Sequence, residues 1–113
     1  MRNIFSKVIG RTMNSTTIDI DMMDVTRGTS TNPQGAALFI VLKKHLLDGS
    51  RIRLSLKDAS PMCSSFLNSS FGELIDEFGL VKVRSSISLV HYTASQASTL
   101  KAYFDAYERY VKK

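Results

Sequence analysis

Three short stretches of this chain alternate apolar and polar residues. In "TTIDIDMM", residues 16–23, Ile18, Ile20 and Met22 fall on one side and Asp19 and Asp21 on the other. "SRIRLSLKD", 50–58, sets Ile52, Leu54 and Leu56 against Arg51, Arg53, Ser55 and Lys57, and "RSSISLVHY", 84–92, sets Ile87 and Leu89 against Ser86 and Ser88. A period of two places successive side chains on opposite faces, so each stretch predicts a strand with one buried face. Residues 1–12, which include "NIFSKVI", read as a basic tail or an edge strand, and the domain proper runs from residue 13 to 113.

Between the strands the period lengthens to that of a helix. One helix is expected from Asn32-Pro33 to Gly49, opened by a capping residue and an early proline, with Leu38, Val41, Leu42, His45 and Leu46 inward and Lys43 and Lys44 outward. A second runs from about Ser64 to Gly79 with Leu67, Phe71, Leu74, Ile75 and Phe78 on one stripe, the glycine closing it. A third opens at a Thr93–Gln96 capping box and buries Ala97, Leu100, Phe104, Tyr107 and Val111.

The order strand, helix, strand, helix, strand, helix argues for an α/β fold with crossovers and a mostly parallel small sheet. Parallel sheets covered on both faces read as continuous apolar runs. These strands alternate instead, so the helices are expected to pack on one face while the other stays wet or meets a second copy in a homodimer.

Composition narrows the function classes. The longest apolar run, "AALFIVL" at 36–42, is far short of the ~18 residues a membrane span needs, and the N-terminus lacks the pattern of a secretory signal. A cytoplasmic address and no membrane contact follow as expectations. One cysteine and two histidines supply neither a disulfide framework nor a metal-ligand spacing, so no metal and no cofactor are expected. The net charge of +5 is terminal: Arg2, Lys7, Arg11, Arg109, Lys112 and Lys113 carry +6, while residues 13–108 hold nine bases and ten acids. That distribution argues against a nucleic-acid surface, which needs cations converging on one face, although basic tails contacting phosphates stay open as an alternative.

The candidate chemistry lies in "KDASPMCSSFLNSSFGEL", 57–74, where serines crowd the start of the second helix. Two readings compete. Ser64 or Ser65 is an N-cap, worth about 1 kcal/mol, or it is an exposed regulatory serine whose phosphate the helix terminus would stabilise. Spacing alone favours the cap. Ser70 with Glu73 would form a cap if the helix began later. Cys63 at the same helix start raises a third reading, a Cys63-dependent enzyme or redox sensor, but neither His45 nor His91 is placed by spacing to act as its base. The loop "DVTRGTSTNPQG", 24–35, lacks a phosphate-cradling spacing; its Gly28 and Gly35 permit tight turns, and Arg27, Thr29 and Ser30 would widen the surface around Ser64 if the first two strands are neighbours. Ile40 and Leu47 point away from the inward stripe of their helix, which suits partner contact or simple imperfection of the pattern. Tyr103, Tyr107 and Tyr110, at helical spacing, should flank the core with wet hydroxyls.

The segment "LSLKDASPMCSSFLNSSF", 54–71, resembles the defining segment of the STAS domain of bacterial anti-sigma factor antagonists: a strand ending in Asp, a hydrophobic loop residue, and a serine pair opening a helix. Leu54, Leu56, Asp58, Met62 and the Ser64-Ser65 pair stand at the matching positions. "SSFLNSSFGELIDEFG" is similar to a STAS-like family of uncharacterised bacterial proteins. The resemblance implies a STAS-like fold and a non-enzymatic signalling module, with no catalytic residue, that docks a protein partner. In the antagonists that partner is an ATP-binding kinase of the histidine-kinase-like superfamily. It implies Ser64 as the phosphorylated residue, with Ser65 beside it. It also implies a contact surface of Asp58, Met62, Cys63, Ser64, Ser65 and Phe66, which the loop placement of Arg27 would widen. Cys63 stands where the antagonists carry Asp, and Phe66 where they carry Gly.

Overall fold

Ile20, Leu54 and Leu89 lie side by side across three parallel strands, and one residue earlier in each strand the row, Asp19, Arg53 and Ser88, is polar. The computed structural model describes residues 16–59 and 61–111, with side chains described as far as Glu108. The edge strand expected within 3–9 and most of the basic ends lie outside that range. Along the chain the elements are β1 (Thr17–Asp21), α1 (Met22–Thr26), α2 (Asn32–Leu47), β2 (Arg51–Ser55), α3 (Ser64–Leu67), a π-helical turn (Asn68–Gly72), α4 (Glu73–Phe78), α5 (Leu80–Ser86), β3 (Ile87–Val90) and α6 (Ala94–Val111).

The sheet order is β1-β2-β3, all parallel, as the alternation of strands and helices predicts. Its apolar rows, Ile18-Ile52-Ile87 and Ile20-Leu54-Leu89, join the helices in one core with Leu38, Leu42 and Leu46 of α2, Phe66 and Leu67 of α3, Phe71 of the π turn, Leu74 and Ile75 of α4, Val83 of α5 and Leu100 of α6. Burying each such side chain is worth roughly 1.5–3 kcal/mol. The opposite rows, Asp19-Arg53-Ser88 and Asp21-Ser55-Val90, are exposed or half-buried. One face of the sheet is therefore covered and the other wet, as the strand alternation predicts.

Element ends depart from the sequence reading in four places. Met22 is buried, but within α1 rather than a longer strand, because the Asp21 carboxylate accepts from the Met23 N–H at 3.1 Å and caps a helical turn there. The α2 cap is Thr31 rather than Asn32: its hydroxyl accepts from Gln34 N–H, and the Gln34 side chain accepts from Thr31 N–H in return. Arg84 to Ser86 belong to α5, which forms because Leu80 and Val83, one helical turn apart, both reach the core. Gly35, expected to ease a turn, lies inside the first turn of α2, where a Cβ would stand 2.6 Å from the Phe66 carbonyl oxygen and 2.7 Å from Ser69 Cβ. Its lack of a side chain lets α2 approach the serine-rich helix.

Other expectations hold. Gly79 closes the second helical segment with φ of 89° and ψ of 152°, a conformation essentially reserved for glycine, and Gly49 follows α2 with φ of 78°. The Thr93–Gln96 capping box is formed in both directions.

Candidate functional site

Two loops at the carboxyl ends of neighbouring strands are clasped together. The backbone N–H of Cys63 donates to the Thr29 carbonyl at 3.1 Å, and the Cys63 thiol donates to the Ser30 carbonyl at 3.1 Å. Thr29, buried, returns a bond from its hydroxyl to the Pro61 carbonyl at 3.0 Å. One turn further on, Ser69 Oγ donates to Asn32 Oδ1 at 2.8 Å, tying the π turn to the first residue of α2. On the other side, Gln96 Nε2 donates to the Ala59 carbonyl at 2.9 Å, so the start of α6 holds the same loop from behind. The register of β1 on β2 makes this possible, since it brings the chain after each strand to one edge.

The clasp presents α3 by its amino end. Cys63 is the N-cap residue, with extended φ and ψ, yet its side chain makes no capping bond because the thiol is turned to Ser30. The first-turn N–H groups of Ser64, Ser65 and Phe66 therefore lack an intrahelical acceptor, as at any helix start. Ser64 and Ser65 are both exposed, and neither hydroxyl is bonded to a described residue. The capping reading of these serines is thus overturned: they are the first two helical residues, one and two places too late to cap. Ser70 does not cap either. It is fully buried, and its hydroxyl donates to the Phe66 carbonyl at 2.7 Å inside a continuous helical path.

Two members of the expected contact surface lie in the core instead. Phe66 is 0% exposed and Met62 7%. The helix start has two sides: with Ser64 and Ser65 outward, the residue one position on must turn inward. The Phe66 ring enters the core and so holds the turn that carries the serines, while its carbonyl and Ser69 stand close against Gly35 of α2. Asp58, Ser64, Ser65 and Arg27 are exposed and Cys63 is half-buried. Thr29 and Ser30 reach the same loop, as expected if the first two strands are neighbours.

The three non-glycine residues with positive φ among those described are Arg27 (59°), Asp58 (64°) and His91 (53°). Each follows the last residue of α1, or lies one to three residues past β2 or β3, so the left-handed turns gather where the strands deliver the chain. Asp and His are among the side chains that adopt this conformation most readily, and Arg27 takes it as the left-handed cap of α1, its N–H donating to the Met23 carbonyl at 3.0 Å. At this edge Ser55 Oγ lies 3.2 Å from His91 Nδ1, and on the wet face Arg53 grips Asp19 with Nε–Oδ1 at 2.7 Å and Nη2–Oδ2 at 3.2 Å. The Arg53 hydrogen bond holds the Asp19 carboxyl below its ordinary range and raises the guanidinium in turn.

Two positioning residues were not legible as such. The sequence pattern marks Gln96 as half of a capping box; its second bond, to a carbonyl 37 residues away, has no local signature. Tyr103 was expected to keep a wet hydroxyl, but its Oη donates toward Asn68 Oδ1 at 2.8 Å and the Leu67 carbonyl at 3.3 Å, supporting the π turn from α6. No described helix is long and apolar enough to cross a membrane.

Comparison with known proteins agrees with this architecture at the level of family. A search of curated proteins and one of solved structures each returned no match. A family profile, described as a STAS-like domain of unknown function (DUF4325), matches residues 34–97, a span that runs from the first turn of α2 through the clasped loop and β3 to the opening of α6. With more than half of its length inside that match and a parallel sheet covered on one face, this chain belongs to the STAS-like DUF4325 family.

Proposed function

We propose that this domain is a non-enzymatic regulatory module that docks a protein partner through the exposed start of the helix at Ser64, with Asp58, Cys63 and Ser65 around it and Arg27 at the rim. The observation that carries this reading is the pair of exposed, unbonded hydroxyls on a helix start that three bonds from the neighbouring loop hold in place. A rigid, accessible patch costs little ordering on association. Ser64 is the switch. A phosphate there adds roughly two negative charges beside free N–H groups, so it is tolerated by the free domain while a docked partner must desolvate it. By resemblance to the anti-sigma factor antagonists, the partner is an ATP-binding protein of the histidine-kinase-like superfamily.

Reading Cys63 as a nucleophile is less favoured, since its one proton is already committed to the Ser30 carbonyl. The test is affinity capture with the unaltered chain, Ser64→Ala and Ser64→Asp. The expected result is a partner recovered with the first two and lost with the third. Equal recovery by all three would remove phosphate control, and capture of nothing by any would remove docking.

A further inference from the structure

Away from the clasped loops, α4 and α6 enclose a groove lined by Asp76, Tyr103, Ala106 and Tyr107. The rings of Tyr103 and Tyr107 pack against each other at a tilt, with centroids 5.2 Å apart and planes inclined at 54°, and both border the groove. Tyr103 cannot swing away: its hydroxyl is bonded to Asn68 and Leu67, and its ring meets Phe104 edge-on at 6.3 Å. Gly72 makes room for both hydroxyls, since a Cβ there would lie 2.6 Å from Tyr103 Oη and 2.9 Å from Tyr107 Oη. Asp76, exposed at the rim, has no cationic partner among the described residues, unlike Glu77, which pairs with Lys43 at 2.9 Å. Burial first, then the adjacent Tyr107 and the carboxylates of Asp76 and Glu73, push the Tyr103 phenol up.

Aromatic faces carry negative potential at their centres and attract organic cations, most strongly those too weakly hydrated to resist leaving water. Two tyrosine rings bordering the groove, with a carboxylate at its rim that has no cationic partner among the described residues, provide that attraction. We propose that this groove binds a quaternary ammonium head. The site is independent of the docking surface at Ser64: it uses the far half of the helix and a different face of α6.

The test uses the full chain and follows the tyrosine ring signals by NMR during titration with choline, with its neutral isostere 3,3-dimethylbutan-1-ol, and with a short peptide carrying trimethyl-lysine. Choline is expected to shift the Tyr103 and Tyr107 rings saturably, and the isostere is expected to leave them in place. Asp76→Asn and Tyr107→Leu should each weaken binding about three- to tenfold, the range of one cation–π or rim-charge contribution, while Tyr107→Phe, which keeps the ring, should bind nearly as the parent does. Asp76 is exposed, so its variant reports on binding without loss of the fold. Tighter binding of the peptide than of choline would identify a side chain as the natural source of the head, and the reverse a free small molecule. Equal shifts by choline and the isostere, or no saturable shift by either cation at about 10 mM, ten times a Kd of 1 mM, would overturn the proposal.

Discussion

The thiol of Cys63 points back to the carbonyl of Ser30 instead of forward to the helix it caps. That rotamer adds a third bond to the two that already join loops some 33 residues apart in sequence, and it leaves the first turn of α3 open. It also accounts for a cysteine at a position where Ser, Thr, Asp or Asn ordinarily sits.

Replacing Cys63 should separate these two roles. Cys63→Ala removes the clasp bond and is expected to cost about 0.5–1.5 kcal/mol, with faster amide exchange at Cys63 and in the residues 29–31 loop. Cys63→Asp loses the same bond but gains a true N-cap and a charge suited to the helix terminus, so its stability should match or exceed that of the parent. Chemical denaturation of the three proteins orders them; an alanine variant as stable as the parent, with unchanged exchange, would show the clasp to be idle.

Two glycines should resist alanine for different reasons. Gly35→Ala would gain helix propensity of roughly 1 kcal/mol but drive a methyl against the Phe66 carbonyl, and overpacking of this kind costs about 1–3 kcal/mol, so little or no net stability is gained and the serine helix is displaced. Gly79→Ala meets open space, yet φ of 89° with ψ of 152° strains any L side chain by about 1–3 kcal/mol. Amide shifts of Ser64 and Ser65 distinguish the cases: they should move in Gly35→Ala and stay put in Gly79→Ala.

Surface and core members of the expected contact patch should behave oppositely. Phe66→Ala empties a fully buried site and is expected to lose about 3–5 kcal/mol, a large fraction of the stability of a domain this size. Ser64→Asp puts a negative charge in the first helical turn and should be neutral or stabilising by up to about 1 kcal/mol. Thermal melts of both variants therefore guard the capture experiment: loss of partner by a Ser64→Asp protein with an unchanged melt is a surface effect, whereas the same loss by Phe66→Ala is a folding effect.

The Asp19–Arg53 pair on the wet face should leave an acid signature only. Because the bond to Arg53 lowers the Asp19 pKa from 3.8, the carboxylate favours the folded state above that value, and its contribution fades as pH falls through the lowered folded pKa. Both groups are fully exposed, so the effect should be small and screened by salt. Asp19→Asn should flatten the pH dependence of stability below about pH 4 without altering it at pH 7.

The existence and order of the three strands, the buried side of each, and the glycine that ends the second helical segment are legible in the local sequence. Those features are local: a two-residue alternation such as Arg51-Ile52-Arg53-Leu54, a Thr93–Gln96 box, or a glycine at position 79 carries its meaning within a few residues. Parallel pairing followed from the order of elements alone. Packing, by contrast, settles which residues at the serine-rich helix start face out. Met62 and Phe66 look like surface hydrophobes among the serines of this stretch, yet both join the core, and Gly35, some thirty residues before Phe66, lets α2 come up against the Phe66 carbonyl and Ser69. The identity of the cap, the second bond of Gln96 and the Tyr103 support of the π turn likewise depend on partners more than thirty positions away. Hydrophobic periodicity fixes the direction of a side chain relative to its own element; what that side chain meets is set only when the elements pack.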